Sequence, residues 1–454
     1  MTVSSTPVPP QRRGRLPLVA ALVAAVAIVA ISTASVLTRL GAQPVTLRLQ
    51  VSLTPEELAA FQPAVEAIDA VHPEWIVQLE EVPQGSEAER ITADLARGAP
   101  ADVIRIQGAN VQQWIRRDAF VPLDARLRAA GIDIAGFYPG PVDQFRFDGR
   151  LWGVPDSASP EIVFFDRAAF EDAGIEPPDE TWTYEDMREA ALALTVDSNG
   201  RHPGNEGFDP DAIERWGWNG GITYFWQRSF IRALGGELCA NEDCTEMRFT
   251  GPANLEAFEW WVSLVRDDHA ALYDPYGGSQ TGVPGDPFIA GKAAMGSNGS
   301  FAIGQLDAAG RMDYDIVPPL LGVDGNRYTP LSTNGYVLAA QGANQDAAWA
   351  LVRELITEDF LASTWGRPGH AVPALRTAAP SILEAGSRPI DRTAILEAME
   401  VGEVFKPYTA SAFAAYGATI DLFTRMNKGE LPIPDALAQI EVAANEALAP
   451  DRAP

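Results

Sequence analysis

Cysteine is nearly missing from this chain: Cys239 and Cys244 are the only two in 454 residues. Two thiolates do not make a structural zinc site, and none of the four histidines, His72, His202, His269 and His370, stands at finger-like spacing from them. No metal site is therefore expected. The run Cys-Ala-Asn-Glu-Asp-Cys after Gly235-Gly236 suits a small disulfide-closed hairpin, with two free thiols as the alternative; a disulfide would imply an oxidising compartment. Lysine is also scarce, at Lys292, Lys406 and Lys428. The balance is 34 basic against 61 acidic residues, net −27, and four of the arginines (Arg12, Arg13, Arg15, Arg39) lie before residue 45. The remainder is more acidic still and should repel nucleic acid and anionic lipid.

Catalytic motifs are absent too. There is no Gly-x-Ser-x-Gly elbow and no His-Glu-x-x-His, and Gly291-Lys292 lacks the upstream glycine of a phosphate loop and is followed by Ala293. Carboxylate pairs are too numerous in so acidic a chain to mark a glycosidase. The expectation is a protein that is not an enzyme and uses no cofactor. Asp197-Ser198-Asn199-Gly200 opens like a calcium loop, but position twelve, which needs a bidentate carboxylate, is Phe208.

What is present is a long apolar body, 46% hydrophobic, with material for two lobes. Arg12, Arg13 and Arg15 precede an apolar run from Leu16 to Leu37, the pattern of an export signal that is also long enough to span a bilayer. Residues 1–44 are read as a cytoplasmic tail with either a cleaved signal peptide or a transmembrane anchor. Both readings place the acidic body outside the cytoplasmic membrane, in the periplasm or at the cell surface.

From Val45 onward, apolar residues alternate as in a strand. Thr54 and Pro55 then open a helix with Leu58, Phe61, Val65 and Ile68 on one face. A strand at Ile76–Val82, a helix ending at Gly98 and a strand at 101–106 continue the alternation of a sheet wound with helices. Asp148-Gly149 between apolar flanks reads as a hairpin turn. Asp166 and Thr183 read as helix caps, Thr183 with Asp186 as a capping pair. Pro287–Phe301 reads as a short helix end stopped by Gly291, a buried strand at 293–295, and a polar loop whose Gly296 and Gly299 supply φ > 0. Trp216–Gly221 with Tyr224-Phe225-Trp226 concentrates aromatic and amide groups, a mixture that suits stacking on a sugar ring as well as ordinary core packing.

The order of these pieces resembles one family, the extracellular solute-binding proteins of ABC importers, of the maltose and oligosaccharide type. The residues that carry the resemblance are Gly98-Ala99-Pro100-Ala101-Asp102-Val103, Val121-Pro122-Leu123-Asp124, Asp148 to Pro155, Phe164-Phe165-Asp166 through Gly174, Thr181 to Asp186, and Phe288 to Met295. They run in the family's order between about residues 45 and 370.

The resemblance implies an α/β, two-lobed periplasmic-binding-protein-like fold of type II, with a ligand cleft between lobes joined by hinge crossovers. Residues 45–153 with 330–366 would form the first lobe, and 154–329 with 367–450 the second. It also implies ligand groups at strand ends: Thr54, Gln107, Asn110, Asp156, Ser157, Trp218, Trp226, Ser297, Asn298, Ser300, Asn334 and Arg367. Phe301 stands where many relatives carry a tryptophan; it is either a ring under the ligand or a core residue. The implied function is capture of an extracellular solute, a sugar or oligosaccharide, by closure of the lobes. The implied partners are that solute and ABC permease subunits in the membrane, for a monomeric protein. The alternative is a membrane-tethered sensor presenting solute to a partner receptor.

Overall fold

The computed structural model describes residues 44–220, 228–241, 243–273, 286–311, 313–386, 391–404, 409 and 411–452. The apolar run 16–37 and Trp226 lie outside these residues. Among the described residues no helix is long and apolar enough to cross a membrane.

The first half of the sheet follows from the sequence pattern. Strands β1 (Val45–Val51), β2 (Trp75–Glu81) and β3 (Val103–Gln107) are parallel, with β1 in the middle. The helices Pro55–Val71 and Glu87–Ala96 connect them. Thr54 caps the first of these helices by accepting from Glu57 N, and the Glu57 carboxylate accepts from Thr54 N, so both orphan donors are satisfied. That helix buries Phe61, Val65 and Ile68. The short strands β4 (Arg146–Phe147) and β5 (Arg150–Leu151) flank Asp148 and Gly149, both at positive φ (50° and 68°), as a tight hairpin requires.

Strand β6 (Gly153–Asp166) is 14 residues long and belongs to both halves of the sheet. The strands that complete the second half are β7 (Val196–Asp197), β8 (Ile213–Trp218), β9 (Ala293–Gly299) and β10 (Tyr314–Val317). The return strand β11 (Thr329–Leu338) and the short β12 (Val372–Pro373) and β13 (Gly402–Val404) follow. Along the sheet the order is β2-β1-β3-β11-β6-β9-β8-β7, with β10 and β12 on β6 and β13 on β11. Residues 153–160 of β6 pair with β11, while Glu161–Phe165 pair with β9.

Apolar packing divides accordingly. One core holds Leu47, Phe61, Trp114, Phe145, Tyr336 and Trp365, and a second holds Phe170, Met187, Trp218, Trp261, Met295 and Phe423. A third, smaller cluster is built on Ile162, Phe164, Tyr314, Leu331 and Ile395. The first core also takes in Ala371, Ala374 and Ala378, past residue 366 where the sequence reading ends the first lobe. The C-terminal helix Ile433–Leu448 packs Leu437, Ile440, Ala444 and Leu448 into the second core.

Two details of the 287–301 stretch differ from expectation. The strand does not stop at Met295 but continues to Gly299, and neither Gly296 nor Gly299 has positive φ. What these glycines supply is room: a Cβ on Gly296 would lie 2.4 Å from Asn219 Cγ, and one on Gly299 2.2 Å from the Phe301 ring. Gly291, at φ +72°, ends a run of turn residues where a helix end was expected.

Candidate functional site: a cleft between two cores

A cavity of about 1140 Å³ is walled on one side by elements of the first core and on the other by elements of the second. Gln112, Arg116, Asp143 and Phe147 line it from the first side, and Arg228, Arg232, Asn241 and Thr245 from the second. Glu403 of β13 joins them, accepting from Arg228 Nη1 at 3.3 Å and ion-pairing with Arg232. The loop that carries Asn241 and Thr245 is closed by the Cys239–Cys244 disulfide, the pairing that the spacing suggested. Asn241 Nδ2 donates to Thr245 Oγ1 at 2.9 Å, and Thr245 Oγ1 donates to Asp243 Oδ1 at 2.9 Å, so the wall is held by its own polar groups.

A smaller cavity of about 220 Å³ opens at the carboxyl ends of β1 and β3, where an open α/β sheet binds its ligands. Gln107, Asn110 and Asn334, three of the expected ligand residues, line it together. Gln107 Nε2 donates to Ser332 Oγ at 3.2 Å, and register pairs Gln107 with Asn334. Ser52, Glu57, Glu87, Arg105 and Trp114 complete much of the lining and were not singled out from sequence. The only local signal for Glu57 was its capping position.

Several expected ligand groups are elsewhere. Asp156 and Ser157 are fully buried: the Arg105 guanidinium donates to Asp156 Oδ2 at 2.6 Å and to Ser157 Oγ at 3.0 Å while lying 4.1 Å over the Trp365 ring. These groups hold the crossover strand rather than face a solute. Burial works against the Arg105 charge, and Asp156 beside it restores that charge and raises its pKa. Trp218 is 3% exposed and sits in the second core, because β8 is paired in the sheet with β9 on one side and β7 on the other. Ser300 is buried at 2% exposure. Thr54 spends its hydroxyl on the helix cap. Arg367 is half exposed and paired with Glu384 at 3.1 Å. Phe301, by contrast, is 44% exposed, with its ring over Gly299, and is therefore not a core residue.

Ser297 and Asn298 belong to a polar cluster at the end of β9. Ser297 Oγ donates to Glu161 Oε2 at 3.0 Å, and Asp286 Oδ2 accepts from both Asn219 Nδ2 (3.1 Å) and Asn298 Nδ2 (3.0 Å). Burial pushes the Glu161 carboxyl up to about 7 against the opposing effect of the Ser297 hydroxyl, with Asp286 adding to the rise. Burial likewise raises Asp286. The Asp197 carboxylate is filled by backbone N–H groups of Asn199, Arg201 and Asp209, which gives that loop a structural role in place of a calcium ion.

Residues 52–362 match the family described as bacterial extracellular solute-binding protein. The chain belongs to that family. Among solved structures, this solute-binding protein is similar to Mycobacterium tuberculosis UspC, at 24% identity and a TM-score of 0.73, covering 89% of this chain and 100% of that one. It is similar also to the sugar-binding protein MalE from Xanthomonas citri (17%, TM-score 0.73, 90% and 98% covered). A third is an ABC substrate-binding protein from Listeria monocytogenes in complex with cycloalternan (19%, TM-score 0.73, 89% and 99% covered). These likenesses establish the two-lobed α/β fold of periplasmic sugar-binding proteins for this solute-binding protein, and its family is one of extracellular binders, not enzymes.

Proposed function

We propose that this solute-binding protein captures a sugar or oligosaccharide outside the cytoplasmic membrane and delivers it to the permease subunits of an ABC importer. The observation that carries the reading is the cavity of about 1140 Å³ between two cores, lined by amide, hydroxyl and guanidinium groups suited to ligand hydroxyls. The half-exposed Phe301 ring adds a surface on which the apolar face of a sugar stacks. The Xanthomonas neighbour, named as sugar-binding, and the Listeria one, in complex with cycloalternan, support the same class of solute. Gln107, Asn110 and Asn334 supply polar groups in the smaller cavity at the strand ends of the first core.

Closure takes place about β6, β11 and the segment leading to β12, and buries the solute between the lobes. The closed form is the one the permeases recognise, and no bond in the solute is broken. Isothermal titration calorimetry against a panel of neutral mono- and oligosaccharides tests the reading. Saturable binding at micromolar concentration supports it; heat-silent titrations throughout, up to millimolar, remove it.

A further inference from the structure

Among the described residues, strand β9 loses its partner on one side before it ends. Its pairing with β8 stops at Met295, opposite Trp218, while its pairing with β6 runs on to Gly299. At Ser297 a single side chain stands in for the strand: Asn219 Nδ2 donates to Ser297 O at 3.2 Å, and Asn219 Oδ1 accepts from Ser297 N at 3.3 Å. Gly296 makes the room, since a Cβ there would lie 2.4 Å from Asn219 Cγ. A side-chain amide has a donor end and an acceptor end, so it holds an edge in this way only while its orientation is fixed.

Asp286 fixes it. Its Oδ2 accepts from Asn219 Nδ2 at 3.1 Å and from Asn298 Nδ2 at 3.0 Å. Its Oδ1 accepts from the backbone N–H groups of Phe288 (2.8 Å) and Ile289 (3.0 Å). The two backbone donors make an ordinary turn cap, which accounts for an aspartate here but not for two amides on its other oxygen. With two donors on each oxygen the carboxylate is full, and both amides keep their nitrogens toward Asp286 and their oxygens toward β9. The link then reaches Phe301. Asn298 Oδ1 accepts from Gly299 N at 2.8 Å, and the Phe301 ring lies so close on Gly299 that a Cβ there would be 2.2 Å from it. On the other edge of β9, Ser297 Oγ donates to Glu161 Oε2 at 3.0 Å and Ser300 N to Pro160 O at 3.0 Å. Phe301 itself is 44% exposed, so the attitude of its ring follows the backbone beneath it more than any packing of its own.

We infer that Asp286 is a positioning residue: through Asn219, Asn298 and Gly299 it fixes the attitude of the Phe301 ring without itself touching solute. The inference rests on the reading above of Phe301 as a stacking surface. A stacked ring must lie along the sugar face at contact distance, so a ring free to tilt binds more weakly than one set before the solute arrives.

The test places 4-fluorophenylalanine at position 301 of the full chain, which gives one fluorine resonance. In the wild type that line is displaced from the position of the free amino acid. Asp286→Ala should move it toward that position, whereas Thr183→Ala, which removes a helix cap elsewhere in the second lobe, should leave it in place. If Asp286→Ala does not fold, Asn298→Ala cuts the same link with the turn cap intact and is read in the same way. Calorimetry with maltotriose reads the consequence: Asp286→Ala and Phe301→Ala should each weaken binding about three- to tenfold. A fluorine line that stays where it is in the folded variant overturns the inference, whatever maltotriose does. A line that moves while Phe301→Ala leaves maltotriose affinity unchanged sustains the positioning of the ring and removes Phe301 from the sugar-binding reading. Because the line is read with no sugar present, the two failures are told apart.

Discussion

Asp156 illustrates how a residue at an expected ligand position serves another end. It accepts from Arg105 in an ion pair that is 5% and 0% exposed at the side chains, so removing one partner strands a buried charge. Asp156→Asn is expected to destabilise the chain by roughly 3–5 kcal/mol in urea unfolding, and pairing Arg105→Met with Asp156→Leu should recover much of that loss. Glu161 offers a pH test at the same scale. Its folded-state pKa, about 7, lies above the ordinary 4.5, so the folded protein holds the proton more tightly than the unfolded one. Its contribution is favourable below about 4.5 and is lost as pH climbs through about 7, with a slope of at most ~1.4 kcal/mol per pH unit. Urea midpoints measured across that window should fall in the wild type and fall less steeply in Glu161→Gln, where Asp286, raised the same way, keeps its own contribution.

Single elements show what the sequence could and could not convey. The disulfide hairpin walls the cleft through Asn241 and Thr245, and closing so short a loop stabilises by about 2 kcal/mol on chain-entropy grounds. Cys239→Ser/Cys244→Ser should lose that amount in denaturant unfolding and should also weaken sugar binding. A stability loss with affinity untouched would separate the hairpin from the site. On the crossover strand β11, a Cβ at Gly335 would meet Val154 O at 2.5 Å, next to the irregular register at Asn334. Gly335→Ala is expected to cost about 1–3 kcal/mol through overpacking, read from the shift of the thermal midpoint. Caps and alternation are local, which is why Thr54, Asp166 and Thr183 were legible in the sequence and are observed as caps. The roles of Gly296 and Gly299 were not, because a glycine needed for close approach and one needed for positive φ look alike in a sequence. Trp218 was ambiguous for a similar reason: an aromatic near a strand end has the same spacing whether it faces solute or core. The lining of both cavities joins residues hundreds of positions apart, such as Gln112 with Glu403, and nothing local marks Arg105 as taken by Asp156.

At the scale of the whole molecule, ligand binding and stability are one equilibrium. A solute present at 100 times its Kd should raise unfolding free energy by about 2.7 kcal/mol, visible as an upward thermal shift that vanishes on dialysis. Small-angle scattering should show the radius of gyration falling on addition of that solute, as two lobes close on it. The sheet order carries a consequence for the order of assembly. Because β11 lies between β3 and β6, the first lobe cannot finish its sheet until a strand beginning at Thr329 has been made, and contacts such as Gln107 with Ser332 span 225 residues. Such distant pairing is slow. A nascent chain therefore stays incomplete until most of it has left the ribosome, which leaves time for an extracellular binder to be threaded unfolded across a membrane before its first core closes.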